Sequence, residues 1–236
     1  MFEVRNLAFT YRSEPVLRDV SFVVSPGETV SIVGANGAGK TTLLRILATL
    51  AVPDSGMVLT DGQDALSHPL RYRRQLGYLP EKVALYDDMT VKDYLRYRAN
   101  LKGEPAKRVR RRVSEAVELC QVADFLGHPI RTLSAGIRKR VALADAMLLR
   151  PRVLLLDDFL AGLDRNMRLA AEAVLQNAAA FSSVIVTGHE IEDFARFTTR
   201  FLVLRDGVVS ATINSVGADH AELVARVAEA VEGGGR

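Results

Sequence analysis

The stretch GANGAGKTT, Gly34 to Thr42, constrains this chain more than any other. It fits G-x-x-x-x-G-K-[ST], a loop whose successive backbone N–H groups cradle phosphate oxygens. Gly34, Gly37 and Gly39 let the backbone turn tightly enough for those amides to converge. Lys40 supplies a mobile point charge for the outer phosphates, Thr41 a hydroxyl for Mg²⁺, and the following helix the positive end of its dipole. The flanks agree: ETVSIVG (28–34) reads as a short buried strand, and LLRILATL (43–50) as an apolar helix. Strand, glycine-rich turn and helix together predict an α/β sheet built around a nucleoside triphosphate site.

The rest of the chain extends that pattern. Residues 2–11 and 16–24 predict paired strands joined by the turn RSEP, and MVLT (57–60) and QLGYLP (75–80) further short strands. From Val91 to about Leu126 the spacing is helical, and SAGIRKRVALADAMLL (134–149) predicts a helix capped by Ser134. VLLLDD (153–158) is an apolar run ending in two carboxylates, the mark of a central strand buried on both faces. A helix near 166–180, a buried strand in SSVIVTGHE, a closing hairpin and a C-terminal helix before a frayed GGGR tail complete the reading. The helix-only stretch at about 85–150 predicts a lobe inserted into one domain spanning 1–236.

Composition removes several function classes. No segment runs about 18 residues without charge, so no membrane span is expected. The N-terminus lacks a signal-peptide layout. The single cysteine, Cys120, rules out a disulfide framework or a cysteine zinc site and reads as a packed side chain in a cytosolic protein. A net charge of +3 is too small to argue for a nucleic-acid partner, and RVRRR (108–112) reads as a solvated helix face. His68, His128 and His220 fall in surface patterns without metal-ligand spacing.

A phosphate loop alone leaves many enzyme classes open. LSAGIRKRVALADAMLLRPRVLLLDD, Leu133 to Asp158, resembles the signature helix and following acidic strand of the ABC-type ATPases. Further matches lie in the family's order, from about residue 2 to 213: Tyr11 at the adenine-stacking position, Glu81 of GYLPE at the Q-loop, GLD (162–164) at the D-loop and His189 of VTGHE at the switch histidine. The resemblance implies an α/β phosphate-loop core with an antiparallel β subdomain and an inserted helical subdomain. It implies ATP bound by Tyr11, Val16, Gly34, Asn36, Gly37, Ala38, Gly39, Lys40, Thr41 and Thr42. It also implies Mg²⁺ held by Thr41, Glu81 and Asp157, and catalytic roles for Asp158, His189 and Glu81. Ser134, Gly136 and Asp164 would contact the ATP of a second ATPase subunit, identical or not. With no span of its own, the chain would act at the cytoplasmic face of a membrane through a permease subunit.

Four positions depart from the family pattern. Asp158 stands where a glutamate is usual and is one methylene shorter; it can serve as base through a shifted backbone or a second water, or leave a slow site that holds ATP without cleaving it. Glu81 replaces glutamine, Ile137 replaces glutamine, and Ala135 replaces glycine, which a methyl tolerates only at negative φ. GYLPEKVALYDDMTVKDYL (77–95) resembles the subunits of ABC-2-type exporters, which implies export, and the short stretch after residue 213 fits a subunit without an added regulatory domain. A DNA-repair or translation ABC protein is expected to carry coiled-coil inserts or a second cassette, and neither is visible.

Overall fold

The computed structural model describes residues 1–233; the tail beyond Gly233 lies outside the described residues, as does the side chain of Asn166. The elements run β1 (Phe2–Tyr11), β2 (Glu14–Val24), β3 (Thr29–Val33), α1 (Lys40–Leu47), β4 (Ser55–Thr60), β5 (Gln63–Asp64), α2 (Pro69–Arg73), β6 (Leu76–Leu79), α3 (Val91–Leu101), α4 (Ala106–Leu119), α5 (Ala135–Met147), β7 (Val153–Leu156), α6 (Arg165–Ala179), β8 (Ser183–Thr187), α7 (Ile191–Phe194), β9 (Arg200–Arg205), β10 (Val208–Asn214) and α8 (His220–Glu232). One sheet is antiparallel in the order β2-β1-β4-β5; the other runs β10-β9-β3-β8-β7-β6, parallel except for β10 on β9.

Alternation along the central strands divides the interior in two. Val30, Ile32, Val153, Leu155, Ile185, Leu202 and Leu204 face α1 and the antiparallel sheet. Leu154, Leu156, Val184, Val186, Phe201 and Val203 face the helices of the opposite side. Strands β3, β7 and β8 are all buried on both faces, as the unbroken apolar run of β7 requires, and β3 and β8 bury hydroxyl residues among their apolar ones. Helices α3, α4 and α5 pack on one another, and their core is continuous with the second of those faces.

Three of the boundaries that differ from expectation do so for one physical reason. The β1–β2 hairpin turns on Arg12 and Ser13 alone, at φ 47° and 74°, so β2 starts two residues before the expected 16. Two positive φ values make the tight turn whose twist suits a hairpin. Helix α1 ends at Leu47 rather than at 50, because Thr49 (φ 59°) closes it: the amides of Thr49 and Leu50 donate to the carbonyls of Ile46 and Arg45. The helical stretch expected to run to about 126 ends at Leu119, the end of α4, through the same closure at Gln121 (φ 51°), whose amide donates to Glu118 O while that of Val122 donates to Val117 O.

Cys120 is fully buried, and burial pushes its thiol up to about 12, which leaves it an inert packing group. Arg108, Arg110 and Arg111 are exposed, while Arg112 turns inward to Glu104 and Glu115. Among the described residues no helix is long and apolar enough to cross a membrane.

Candidate functional site

In a parallel sheet the loops that can bind a ligand gather at the carboxyl ends of the strands. Here the loop after β3 brings Asn36, Gly37, Gly39, Lys40, Thr41 and Thr42 to one cavity of about 280 Å³. The ends of β6, β7 and β8 add Glu81, then Asp157 and Asp158, then Thr187, Gly188 and His189. Val16, from β2, closes one side.

The loop is shaped by close approach. A Cβ built on Gly34 would lie 2.1 Å from Leu204 O, and Gly37 and Gly39 take φ of 83° and 100°. No side chain caps α1, so its first amides remain available to an anion in the cavity. Lys40 lies back along the loop, its Nζ donating to Gly34 O at 2.6 Å and to Ala35 O at 2.9 Å. Burial lowers its pKa, and the carboxylates of Asp158 and Asp157 oppose that. Gly34→Ala is expected to force the loop off β9, costing roughly 1–3 kcal/mol of stability; a lower Tm together with weaker ATP affinity would show it.

The carboxylates opposite are set by β7 and β8. Asp157 is 2% exposed, and its Oδ1 accepts hydrogen bonds from Thr187 Oγ1 at 2.6 Å and Thr41 Oγ1 at 3.2 Å. Burial raises its pKa; the two hydroxyl bonds oppose the rise, and Glu81 and Asp158 add to it. Asp158 follows at φ 47°, a left-handed backbone that aspartate tolerates better than most residues. Its amide donates to Thr187 O at 3.1 Å and Thr187 Oγ1 at 3.2 Å. Thr187 thus anchors both carboxylate residues. Thr187 and Gly188 are cavity residues that the motifs did not single out. His189 is exposed at the cavity edge.

The donors suit a hard cation. Thr41, Asp157 and Glu81 offer oxygen within one cavity. Among the described residues no group of three or more His, Cys, Asp and Glu side chains is arranged to hold a metal by itself. Two carboxylates and a hydroxyl suit Mg²⁺, which takes one or two carboxylates and completes its shell with water and substrate phosphates.

The other expected residues lie apart. Tyr11 is 59% exposed at the end of β1, with the Arg12 guanidinium 5.6 Å from its ring centroid, and does not line the cavity. Ala38 is buried beneath the loop. Ser134 caps α5, its Oγ accepting from Ile137 N at 3.4 Å, and Asp164 caps α6, its Oδ1 accepting from Met167 N at 2.9 Å. Neither they nor Gly136 line the cavity. Ala135 opens α5 without a positive φ, so its methyl is tolerated. Ile137 is buried, which absorbs the apolar replacement into the core.

A phosphate loop feeding a helix, with paired acids at the end of another parallel strand of the same sheet, defines a nucleotide-binding protein of the phosphate-loop class. The family model described as ABC transporter matches residues 17–161, and the chain belongs to that family. It is 33% identical over 212 residues to the spermidine/putrescine import ATP-binding protein PotA of Spiroplasma citri, covering 89% of this chain and 60% of that protein. It is 37% identical over 216 residues to the sulfate/thiosulfate import ATP-binding protein CysA of Methylococcus capsulatus, covering 88% and 61%. The chain therefore spans about 60% of the length of these curated relatives. Among solved structures, an ATP-binding subunit of an ABC transporter aligns with TM-score 0.84 at 28% identity, covering 97% of this chain and 99% of that one. A dimeric bacterial ABC transporter cassette aligns with TM-score 0.82 at 26% identity, covering 92% and 100%. An Atm1-family ABC exporter with ATP bound aligns with TM-score 0.80 at 28% identity, covering 95% of this chain and 41% of that one.

Proposed function

We propose that the chain binds ATP with Mg²⁺ in the cavity after β3 and hydrolyses it, as the motor subunit of a membrane transporter. One observation carries the reading: Lys40, Thr41, Glu81, Asp157, Asp158 and His189, from four strand ends, converge on one cavity. The loop amides and Lys40 hold the phosphates, exchanging the Gly34 and Ala35 carbonyls for phosphate oxygens. Thr41, Asp157 and Glu81 hold Mg²⁺, whose charge would offset that of the outer phosphates when bound. Asp158 accepts a proton of the attacking water and orients it, and His189 reaches the γ-phosphate from the cavity edge. Tyr11 and Val16 meet the adenine.

Ser134, Gly136 and Asp164 lie outside this cavity at the starts of α5 and α6, in keeping with a role toward the ATP of a second subunit. The likeness to a dimeric cassette supports that arrangement. ATP binding the closed pair better than the open one then drives closure, and hydrolysis reopens it. The permease is met through the loop after Glu81 and the helical lobe formed by α3–α5. Between α3 and α4 lies a groove of about 620 Å³, with Val113, Val117 and Leu126 in its floor and Lys92, Arg96 and Arg110 around it. It suits an apolar segment carrying acidic flanks. Such a partner places the chain at the cytoplasmic face of the membrane. The export direction rests on the 77–95 segment, since the relatives named above are import proteins and the cassette fold serves an exporter as well.

A second reading is favoured by Asp158 itself: a shortened carboxylate on a left-handed backbone suits a subunit that holds ATP as the weaker half of a heterodimer. ATP turnover at high protein concentration separates the two. Activity in the wild type and in Asp158→Glu, with a loss of roughly 10²–10⁴-fold in Asp158→Asn, is the expected result. A silent wild type with an active Asp158→Glu would establish the second reading instead.

A further inference from the structure

Asp158 is fixed from two sides. Upstream, its amide is bonded to Thr187 on β8. Downstream, the Nζ of Lys139 donates to Phe159 O at 3.1 Å and to Ala161 O, the carbonyls of the segment that leaves Asp158. Lys139 belongs to α5, one turn into the helix whose start carries Ser134 and Gly136. Burial lowers the Lys139 pKa, while the carboxylates of Asp158 and Glu81 work against the fall, so the ammonium stands in the field of both site acids.

A second contact ties the same parts together. A Cβ on Gly136 would fall 1.9 Å from Met167 Sδ, so the first turn of α6 lies directly on the first turn of α5. Asp164 caps that first turn of α6. The segment from Asp158 to Asp164 is therefore held to α5 near its middle by Lys139 and at its far end through Met167.

Asp158 takes a left-handed φ of 47°, and the bonds from Thr187 and Lys139 hold the chain on its two sides. An ammonium on two carbonyls is a charge-assisted clamp, stronger than neutral hydrogen bonds would be.

We propose that Lys139 is a positioning residue for Asp158: it clamps the 159–161 carbonyls to α5, holding Asp158 toward its own chain's nucleotide and making that placement depend on where α5 sits. On the ATP-hydrolysing reading above, on which this proposal rests, a second subunit's nucleotide seated at Ser134 and Gly136 is then felt at Asp158 of the same chain.

The test compares wild type, Lys139→Met and Lys139→Arg by three readouts. Hydrogen exchange in the nucleotide-free protein is read at the amides of Ala161 and Leu163, which bond to Asp158 O and Leu160 O. ATP affinity is read by direct titration, and turnover by phosphate release. Lys139→Met is expected to speed exchange at 161–163 by at least about tenfold, the loss of a charged hydrogen bond. It should lower kcat roughly 10–100-fold at unchanged affinity, the effect of a misplaced catalytic group. Lys139→Arg, which keeps the donors, should restore most of both. Unchanged exchange in Lys139→Met would overturn the clamp, and faster exchange at an unchanged kcat would overturn the positioning role. A fall in affinity matching the fall in kcat would also overturn it, as general damage. If the wild type binds ATP without turnover, the hydrolytic reading fails on its own, and the exchange readout alone decides the clamp.

Discussion

Asp157→Asn is expected to abolish ATP turnover while raising the stability of the nucleotide-free protein. Asp157 is 2% exposed, and burial, the largest influence on it, raises its pKa above the ordinary aspartate value of 3.8. A carboxylate whose folded pKa is raised contributes stability that is complete below the unfolded value and is lost as pH rises through the folded pKa. At neutral pH the ionised side chain is therefore a burden on the fold. Asparagine keeps an oxygen for the hydroxyls of Thr187 and Thr41, which bond Oδ1, and removes the buried charge. The variant is therefore expected to melt at a higher temperature than the wild type at neutral pH. The gain should shrink as pH is lowered. Turnover falls for the opposite reason: the neutral amide gives Mg²⁺ no charge beside Thr41, and a loss of at least roughly 10²–10³-fold is expected. Calorimetry at two pH values and phosphate release check both halves. A lower Tm for Asp157→Asn at pH 7 would show that the carboxylate is a structural anchor instead.

That conflict between stability and site chemistry marks where sequence patterns stop being informative. Alternation and apolar runs located β3, β7, β8 and β9, because a strand buried on both faces leaves little choice of residue. The phosphate loop was legible because each of its residues serves backbone geometry or charge. Boundaries failed where the chain turns left-handed without glycine. Gly103 (φ 80°) follows the end of α3 and is a compositional cue, but Thr49 and Gln121 close α1 and α4 with none. In the β1–β2 pair, Asn6 (φ 47°) and Asp19 (φ 59°) sit at register shifts and face each other, Asn6 Nδ2 donating to Asp19 Oδ1 at 2.6 Å. Each bulge re-phases its strand, so Phe2, Val4 and Leu7 share one interior although strict alternation separates them. Within the site, the acids and the histidine were readable from their motifs. Thr187 and Lys139 were not, since a hydroxyl ending a strand and a lysine on a helix acquire their roles from partners about 20 to 30 residues away.

Asp145→Ala is expected to be the most destabilising single change in the helical lobe. The Asp145 side chain, 12% exposed on α5, meets two cations from α3: Arg98 Nη2 at 2.9 Å and Lys102 Nζ at 2.8 Å. Tyr94 OH adds a hydrogen bond at 3.3 Å. Burial alone would raise the Asp145 pKa, but Lys102 and Arg98 together outweigh it and hold the carboxyl below the usual aspartate value. Burial also lowers the Lys102 pKa, and the Asp145 carboxylate opposes that fall. Removing the carboxylate strands two cations in a place that water reaches poorly, and a loss of about 3–5 kcal/mol is expected. A depressed folded pKa contributes stability that is complete above the unfolded value of 3.8 and is lost as pH falls through the folded value. The gap between wild type and Asp145→Ala should accordingly be full at pH 7 and narrow on acidification below about pH 4. Denaturant melts at pH 7 and at pH values below about 4 check this. A pH-independent gap would assign the loss to packing alone. The pair also fastens α5, with Ser134 at its start and Lys139 one turn in, to the end of α3, so Asp145→Ala should loosen these two helices from each other while leaving the phosphate loop on β3 intact.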